Sequence, residues 1–355
     1  MTETVHAGLV VGVDTHRDTH TAAICDQAGR QLGGTTVPAT AAGYAQLLDW
    51  ARAQAGDASL AWGIEGTRHY GLGLSRHLAA HGQRVAEIDH SRRAGRRRAG
   101  KTDPIDAVRA AREFLARPDA GQARCDGDRE ALRLLITDRD QVTGALRVAR
   151  TQLAALLVTA PEDLRAQLRS LPAARRVRTC AALACPPGAG RLTQVQYQTL
   201  ARAAQRILDL TAEAAQLRTQ IAVIAEDLAP GWMASEPGLG PVTAATILLA
   251  WSHRGRIRSE AAFAMIAGVA PLPASSGRTI RYRLNRGGDR QLNAALHTIA
   301  INRTRHDPAT RAYITRRRAD GKTDREIRRC LKRYLARHLF RTLNQIAAAQ
   351  PSQTT

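Results

Sequence analysis

The chain has 355 residues, with 52 lysines and arginines against 31 acids, a net charge of +21 and an isoelectric point near 11.2. That length supports two or three domains with their own cores, and an arginine surplus of this size points to phosphate and hence to nucleic acid. No signal peptide and no bilayer-length apolar run is legible, so the expected location is the cytoplasm, with no membrane partner. GC-rich coding accounts for arginine over lysine, which occurs only at 101, 322 and 332, but not for the excess of bases over acids. Aromatics are 4% of residues, too few for base stacking to be the main binding mode. The five cysteines (25, 125, 180, 185 and 330) form no CxxC pair, so they read as reduced thiols rather than as a zinc site.

Leu9-Val10-Val11-Gly12-Val13 is an apolar run closed by Asp14 and predicts a buried strand. Strands over 19–25 and 31–37 follow, with a turn at Asp26-Gln27-Ala28-Gly29, and the spacing of Tyr44, Leu47, Leu48 and Ala51 predicts a helix over 41–55. A fourth strand ends at Glu65, a helix covers 70–81, a fifth strand 84–88 and a further helix 104–115. Three strands, helix, strand, helix, strand, helix is the order of a ribonuclease-H-like α/β fold, in which the first and fourth strands are neighbours. Functional groups gather at strand ends in open α/β sheets, where Asp14 and Glu65 both fall.

Asp103 and Asp106 stand three residues apart in Lys101-Thr102-Asp103-Pro104-Ile105-Asp106-Ala107. Locally they read as an N-cap and a capping-box acid around a first-turn proline. With Asp14 and Glu65 they make a candidate four-carboxylate site for Mg²⁺, expected as two ions that activate a nucleophile and stabilise a leaving oxygen on phosphate. The loop before them carries Arg92, Arg93, Arg96, Arg97, Arg98 and Lys101, a phosphate-gripping run rather than an ordinary solvated loop. His16 and His20 flank Asp18 in a strand-to-strand turn and read as solvated or phosphate-contacting histidines rather than as metal ligands.

Near-heptad apolar spacing predicts long helices over 128–158 and 192–228, either an antiparallel pair within a bundle or an intermolecular coiled coil. Pro237-Gly238-Leu239-Gly240-Pro241 then leads into an apolar helix over 242–250, as in a helix-hairpin-helix, where Gly238 and Gly240 let the backbone approach a phosphate. After a short helix ending at Gly268, a loop carries Ser275-Ser276-Gly277 beside Arg278, Arg281, Arg283, Arg286 and Arg290, a basic set suited to DNA or RNA phosphates. No histidine stands nearby in sequence to activate a serine, so the residues alone give Ser276 the role of a phosphate hydrogen-bond donor. A helix through Leu296 and Ile299, an arginine-rich helical stretch over 311–341 and a disordered tail follow.

Val11-Gly12-Val13-Asp14, Ile64-Glu65-Gly66-Thr67, Lys101 to Ala107, the Pro237 to Pro241 turn, and Gly268-Val269-Ala270-Pro271 with Ser275-Ser276-Gly277 occur together and in this order. In these the chain resembles the DEDD transposases of bacterial insertion sequences, related to the Piv DNA invertase, over nearly its whole length. One departure is Asn285-Arg286-Gly287-Gly288-Asp289-Arg290, where relatives tend to carry a lysine-containing version. The resemblance implies a RuvC-like DEDD domain over 1–120, a helical coiled-coil and dimerisation segment over 121–230, a mainly helical transposase domain over 231–345, and a tail over 346–355.

The resemblance also implies Mg²⁺ on Asp14, Glu65, Asp103 and Asp106, and a serine nucleophile, Ser276 or its neighbour Ser275, that forms a phosphoserine link to DNA. Its implied partners are donor and target DNA, a structured guide RNA encoded by the element, and further copies of the chain. Those copies form a homodimer or tetramer whose active sites are composed from two protomers. Two alternatives stay open: a RuvC-like nuclease or junction resolvase that uses water, and a non-catalytic nucleic-acid scaffold.

Overall fold

A computed structural model describes residues 8–67, 69–88, 103–116, 127–274 and 282–349. It divides into two compact units. One holds the chain up to Glu130 with Trp251–Phe263 and the stretch from Phe340 onward; the other holds Ala131–Ala250 and Ala264–Leu339.

The first unit is built on five strands, β1 (Leu9–Thr15), β2 (Thr19–Cys25), β3 (Gln31–Pro38), β4 (Leu60–Glu65) and β5 (Arg84–Ile88). They lie in the order β3-β2-β1-β4-β5, with the first three antiparallel in sequence and β4 and β5 parallel to β1. The expected neighbourhood of the first and fourth strands is therefore present. Helices α1 (Ala41–Ala55) and α2 (Leu72–Ala80) cover one face, where Val11, Val13, Trp62 and Ile64 pack with Leu47, Leu48, Leu74 and Leu78. Helix α3 (Asp103–Ala116) covers the other, where Val10, Ala61, Ala86 and Ile88 meet Ala110, Ala111 and Phe114. Residues of opposite parity on β1 and β4 go to opposite layers, as the pleat requires.

Gly12 and Gly63 are register partners on β1 and β4. A Cβ on Gly12 would lie 2.1 Å from the Ala107 carbonyl and 2.3 Å from the Ala111 nitrogen, and one on Gly63 would lie 2.9 Å from the Ala110 carbonyl. The helix backbone therefore rests directly on this pair of glycines, closer than any side chain would allow.

In the second unit the two long helices are α4 (Gly127–Val158) and α7 (Arg191–Leu228), close to the predicted extents. Leu146, Ala149 and Leu153 share a core with Leu200, Ala203, Ala204 and Ile207, and Gln196 donates to the Thr159 carbonyl. The start of α7 thus lies beside the end of α4, an intramolecular hairpin. Two short helices, α5 (Glu162–Arg169) and α6 (Ala173–Ala181), close this end with Leu164, Leu168 and Cys180 and were not anticipated from the sequence. Pro161 and Pro172 directly precede them, the legible start signals.

Next come α8 (Trp232–Ser235), α9 (Pro241–Trp251), α10 (Glu260–Ile266), a hairpin of β6 (Pro271–Pro273) and β7 (Tyr282–Leu284), and α11 (Arg290–His306). The basic helical stretch expected over 311–341 consists of two helices, α12 (Pro308–Ala319) and α13 (Asp324–Ala349). Gly321, at φ +74°, ends the first because only a left-handed residue closes the helix there.

Candidate functional site

The climb along β1 and α3 explains how distant acids meet. From Gly12 to Asp14 is two strand residues, about 6.6 Å. From Ala107, which sits over Gly12, back to Asp103 is just over one helical turn, about 6 Å. Helix and strand therefore bring the first turn of α3 level with the end of β1. Asp14 is 8% exposed, and Asp103 and Asp106 both lie in that first turn.

Asp14 and Glu65 directly follow the register pair Val13 and Ile64, two residues beyond the two glycines and on the same sheet face. The Thr15 hydroxyl donates to the Glu65 carbonyl at 2.8 Å, tying the strand ends together. Asp106 accepts from Arg109 at 2.6 Å, one turn along the same helix.

His16 closes the group. Its Nε2 lies 3.3 Å from Asp14 Oδ2 and 3.4 Å from Asp103 Oδ1, and the three ligand atoms all lie within 4.8 Å of one another. That nitrogen is buried and has no hydrogen-bond partner among the described residues. His16 keeps 41% of its side chain exposed, in line with a solvated histidine, while its Nε2 lies close to two carboxylates. His20 needs a correction. It is fully buried and stacked 5.6 Å from Tyr44, with Nδ1 donating to the Thr19 carbonyl, so it is a core residue. Burial, its largest influence, holds its pKa below the usual imidazole value. For His20 a signal was present in the alternation of β2, which sends it inward with Ala22 and Ile24; for His16 there was none.

In the second unit, Glu236 precedes the glycine turn and is 6% exposed. It is held by the Arg303 guanidinium and by His338 Nε2 at 2.8 Å, while Arg303 Nε donates to the Pro237 carbonyl at 2.8 Å. Gly238 has φ +79°, and a Cβ there would meet Asn302 and the Ile299 carbonyl at 3.2 Å. Its glycine is thus required by α11; at Gly240 the space a Cβ would take is open.

The strands β6 and β7 flank the serine segment. Their base is pinned where Gly268 and Gly288 approach too closely for a side chain: a Cβ on Gly288 would lie 2.4 Å from Gly268 Cα. Asn285 donates to the Met265 carbonyl, Asn293 to the Ala267 carbonyl, and Lys332 to Asn293, so α10, α11 and α13 all fix that base. Arg283, Arg286 and Arg290 are exposed around it. Ser275, Ser276, Arg278 and Arg281 lie outside the described residues, as do Arg92, Arg93, Arg96, Arg97, Arg98 and Lys101.

A mixed α/β unit with carboxylates converging at strand and helix ends, joined to a helical unit, is the make-up of a DEDD-type transposase. A DEDD transposase family model (DEDD_Tnp_IS110) matches residues 11–161, and one described as transposase IS116/IS110/IS902 family matches residues 233–315. The IS900 insertion-element 42 kDa protein of Mycobacterium paratuberculosis is 27% identical over 97% of this chain and 98% of its own length. The IS110 insertion-element 43.6 kDa protein of Streptomyces coelicolor is 40% identical over 92 residues, 26% of this chain and 23% of that protein. The chain belongs to the IS110 family of DEDD transposases, enzymes that move an insertion element through DNA.

Proposed function

We propose that this transposase cleaves and rejoins DNA through a serine nucleophile, Ser276, beside divalent cations held by Asp14, Glu65, Asp103 and Asp106, with target and donor chosen by a structured RNA. The observation that carries the reading is the meeting of Asp14 and Asp103 under the glycine-seated end of α3. The strand order β3-β2-β1-β4-β5 supports a ribonuclease-H-like, RuvC-like domain for the first unit. The donors suit the cation: carboxylate oxygens converge, and the buried Nε2 of His16 lacks a hydrogen-bond partner among the described residues. A divalent ion there supplies positive charge to a scissile phosphate.

In this reading the acids fix the phosphate's position, and the arginine run over 92–98 with Lys101 holds the neighbouring backbone. Ser276 Oγ attacks phosphorus, the phosphorus–oxygen bond to the leaving strand breaks, and the departing oxygen takes a proton. The phosphoester energy is kept in the serine link for rejoining to the exchanged strand. The α4–α7 hairpin is the proposed dimerisation element, and assembly of two or four copies brings acids and serine together from different protomers.

The test combines full-length protein, Mg²⁺, donor and target DNA and the RNA that co-purifies with it. Denaturing gels should show a protein-linked DNA end, kept in Ser275→Ala and lost in Ser276→Ala. An adduct that persists in Ser276→Ala overturns the nucleophile. Free hydroxyl and phosphate ends with no adduct establish the water-using nuclease instead. Absence of a discrete co-purifying RNA overturns guidance.

A further inference from the structure

We infer that His16 is a nitrogen ligand of the cation site, making it a mixed oxygen–nitrogen centre rather than an all-carboxylate one. The inference rests on the metal-site reading above and adds to it a residue outside the four acids. The first reason is spacing. Neighbouring ligands of a six-coordinate ion with bonds of about 2.1 Å stand about 3.0 Å apart. His16 Nε2 stands 3.3 Å from Asp14 Oδ2 and 3.4 Å from Asp103 Oδ1, nearly that edge length.

The second reason is the state of the nitrogen. A buried imidazole nitrogen normally has a hydrogen-bond partner. This one has none among the described residues, although two carboxylate oxygens lie just outside good hydrogen-bonding distance. An atom within ion-pair distance of two acids yet hydrogen-bonded to neither is placed for a shared third body. The third reason is local backbone. His16 follows directly from the end of β1, and its N–H donates to the Thr19 carbonyl at 3.0 Å, closing the tight turn into β2. That turn holds the ring over the strand end carrying Asp14.

The consequence is a changed ion preference. Imidazole suits Mn²⁺ and later first-row ions better than Mg²⁺, which prefers an all-oxygen shell. The site should therefore bind Mn²⁺ more tightly than Mg²⁺, with the difference carried by His16.

The experiment is Mn²⁺ titration of the full chain by electron paramagnetic resonance, with pulsed detection of coupling to ¹⁴N. Wild type should show the coupling of a bound imidazole. His16→Ala should lose it and bind Mn²⁺ about tenfold or more weakly. His16→Asp, which restores a ligand as an oxygen, should keep Mn²⁺ without the nitrogen signal and move the preference toward Mg²⁺. A wild-type spectrum lacking imidazole coupling, or coupling unchanged in His16→Ala, overturns the inference while leaving the four-acid site standing. Mn²⁺ binding unchanged in Asp14→Asn overturns the site itself.

Discussion

Gly12 shows how a single missing side chain places a reaction centre. A methyl group there would collide with helix backbone, which cannot swing aside as a flexible side chain could. Gly12→Ala should therefore lift α3 off β1, costing at least the roughly 1–3 kcal/mol of an overpacked core. It should also weaken Mn²⁺ binding with all four acids intact; urea unfolding and metal titration read the two effects. Asp14→Asn removes charge without volume, so metal-dependent strand cleavage should fall to background while circular dichroism stays unchanged.

His20 gives a pH signature at the same scale. Its folded-state pKa is lowered, mainly by burial, so the unfolded chain binds the proton more readily. Stability is full above the unfolded value, near 6.5, and declines as pH falls below it. His77 is shifted in the same direction, burial again being the largest cause, and adds to the slope. The urea midpoint should drop between pH 7.5 and 5.5, and His20→Phe should flatten part of that drop; an unaltered slope would sink this account.

At the scale of elements, the charged staple on Glu236 and the α4–α7 hairpin make separate predictions. Arg303→Ala takes the guanidinium away from the buried Glu236 carboxylate, leaving His338 on it, and frees the Pro237 carbonyl. Breaking a buried pair this way costs about 3 kcal/mol. It should loosen the Pro237–Pro241 turn, visible as faster amide exchange there than in α7. Leu200 and Ile207 are 1% and 3% exposed within a core supplied by the same chain. Ile207→Ala should thus cost about 2–5 kcal/mol. Because that core is intramolecular, the loss should not depend on protein concentration; a loss that vanishes at high concentration would point to a core completed by a second copy.

For the whole molecule, the charge of +21 governs how it meets its substrates. Phosphate neutralisation releases counterions, so log affinity for DNA should fall linearly with log salt, by roughly a thousandfold or more between 50 and 200 mM. Filter binding across that range measures the slope. A nearly flat dependence would mean the arginines serve solubility and not backbone contact.

What the sequence determined by itself is local or periodic. Short apolar runs and turn residues marked the five strands, apolar spacing marked the long helices α4 and α7, and strand-closing acids marked Asp14 and Glu65. The first-turn pair Asp103 and Asp106 was legible because helix-start chemistry is written in adjacent residues. What only the tertiary structure decided depends on residues far apart in the chain. The seating of α3 on Gly12 and Gly63, about a hundred and about fifty residues from it, cannot be seen in either segment alone. The same holds for His16, whose ring looks solvated until α3 brings Asp103 to it, and for His20, whose burial is completed by Tyr44 of α1. Periodicity sets which way a side chain points; only packing sets what it finds there.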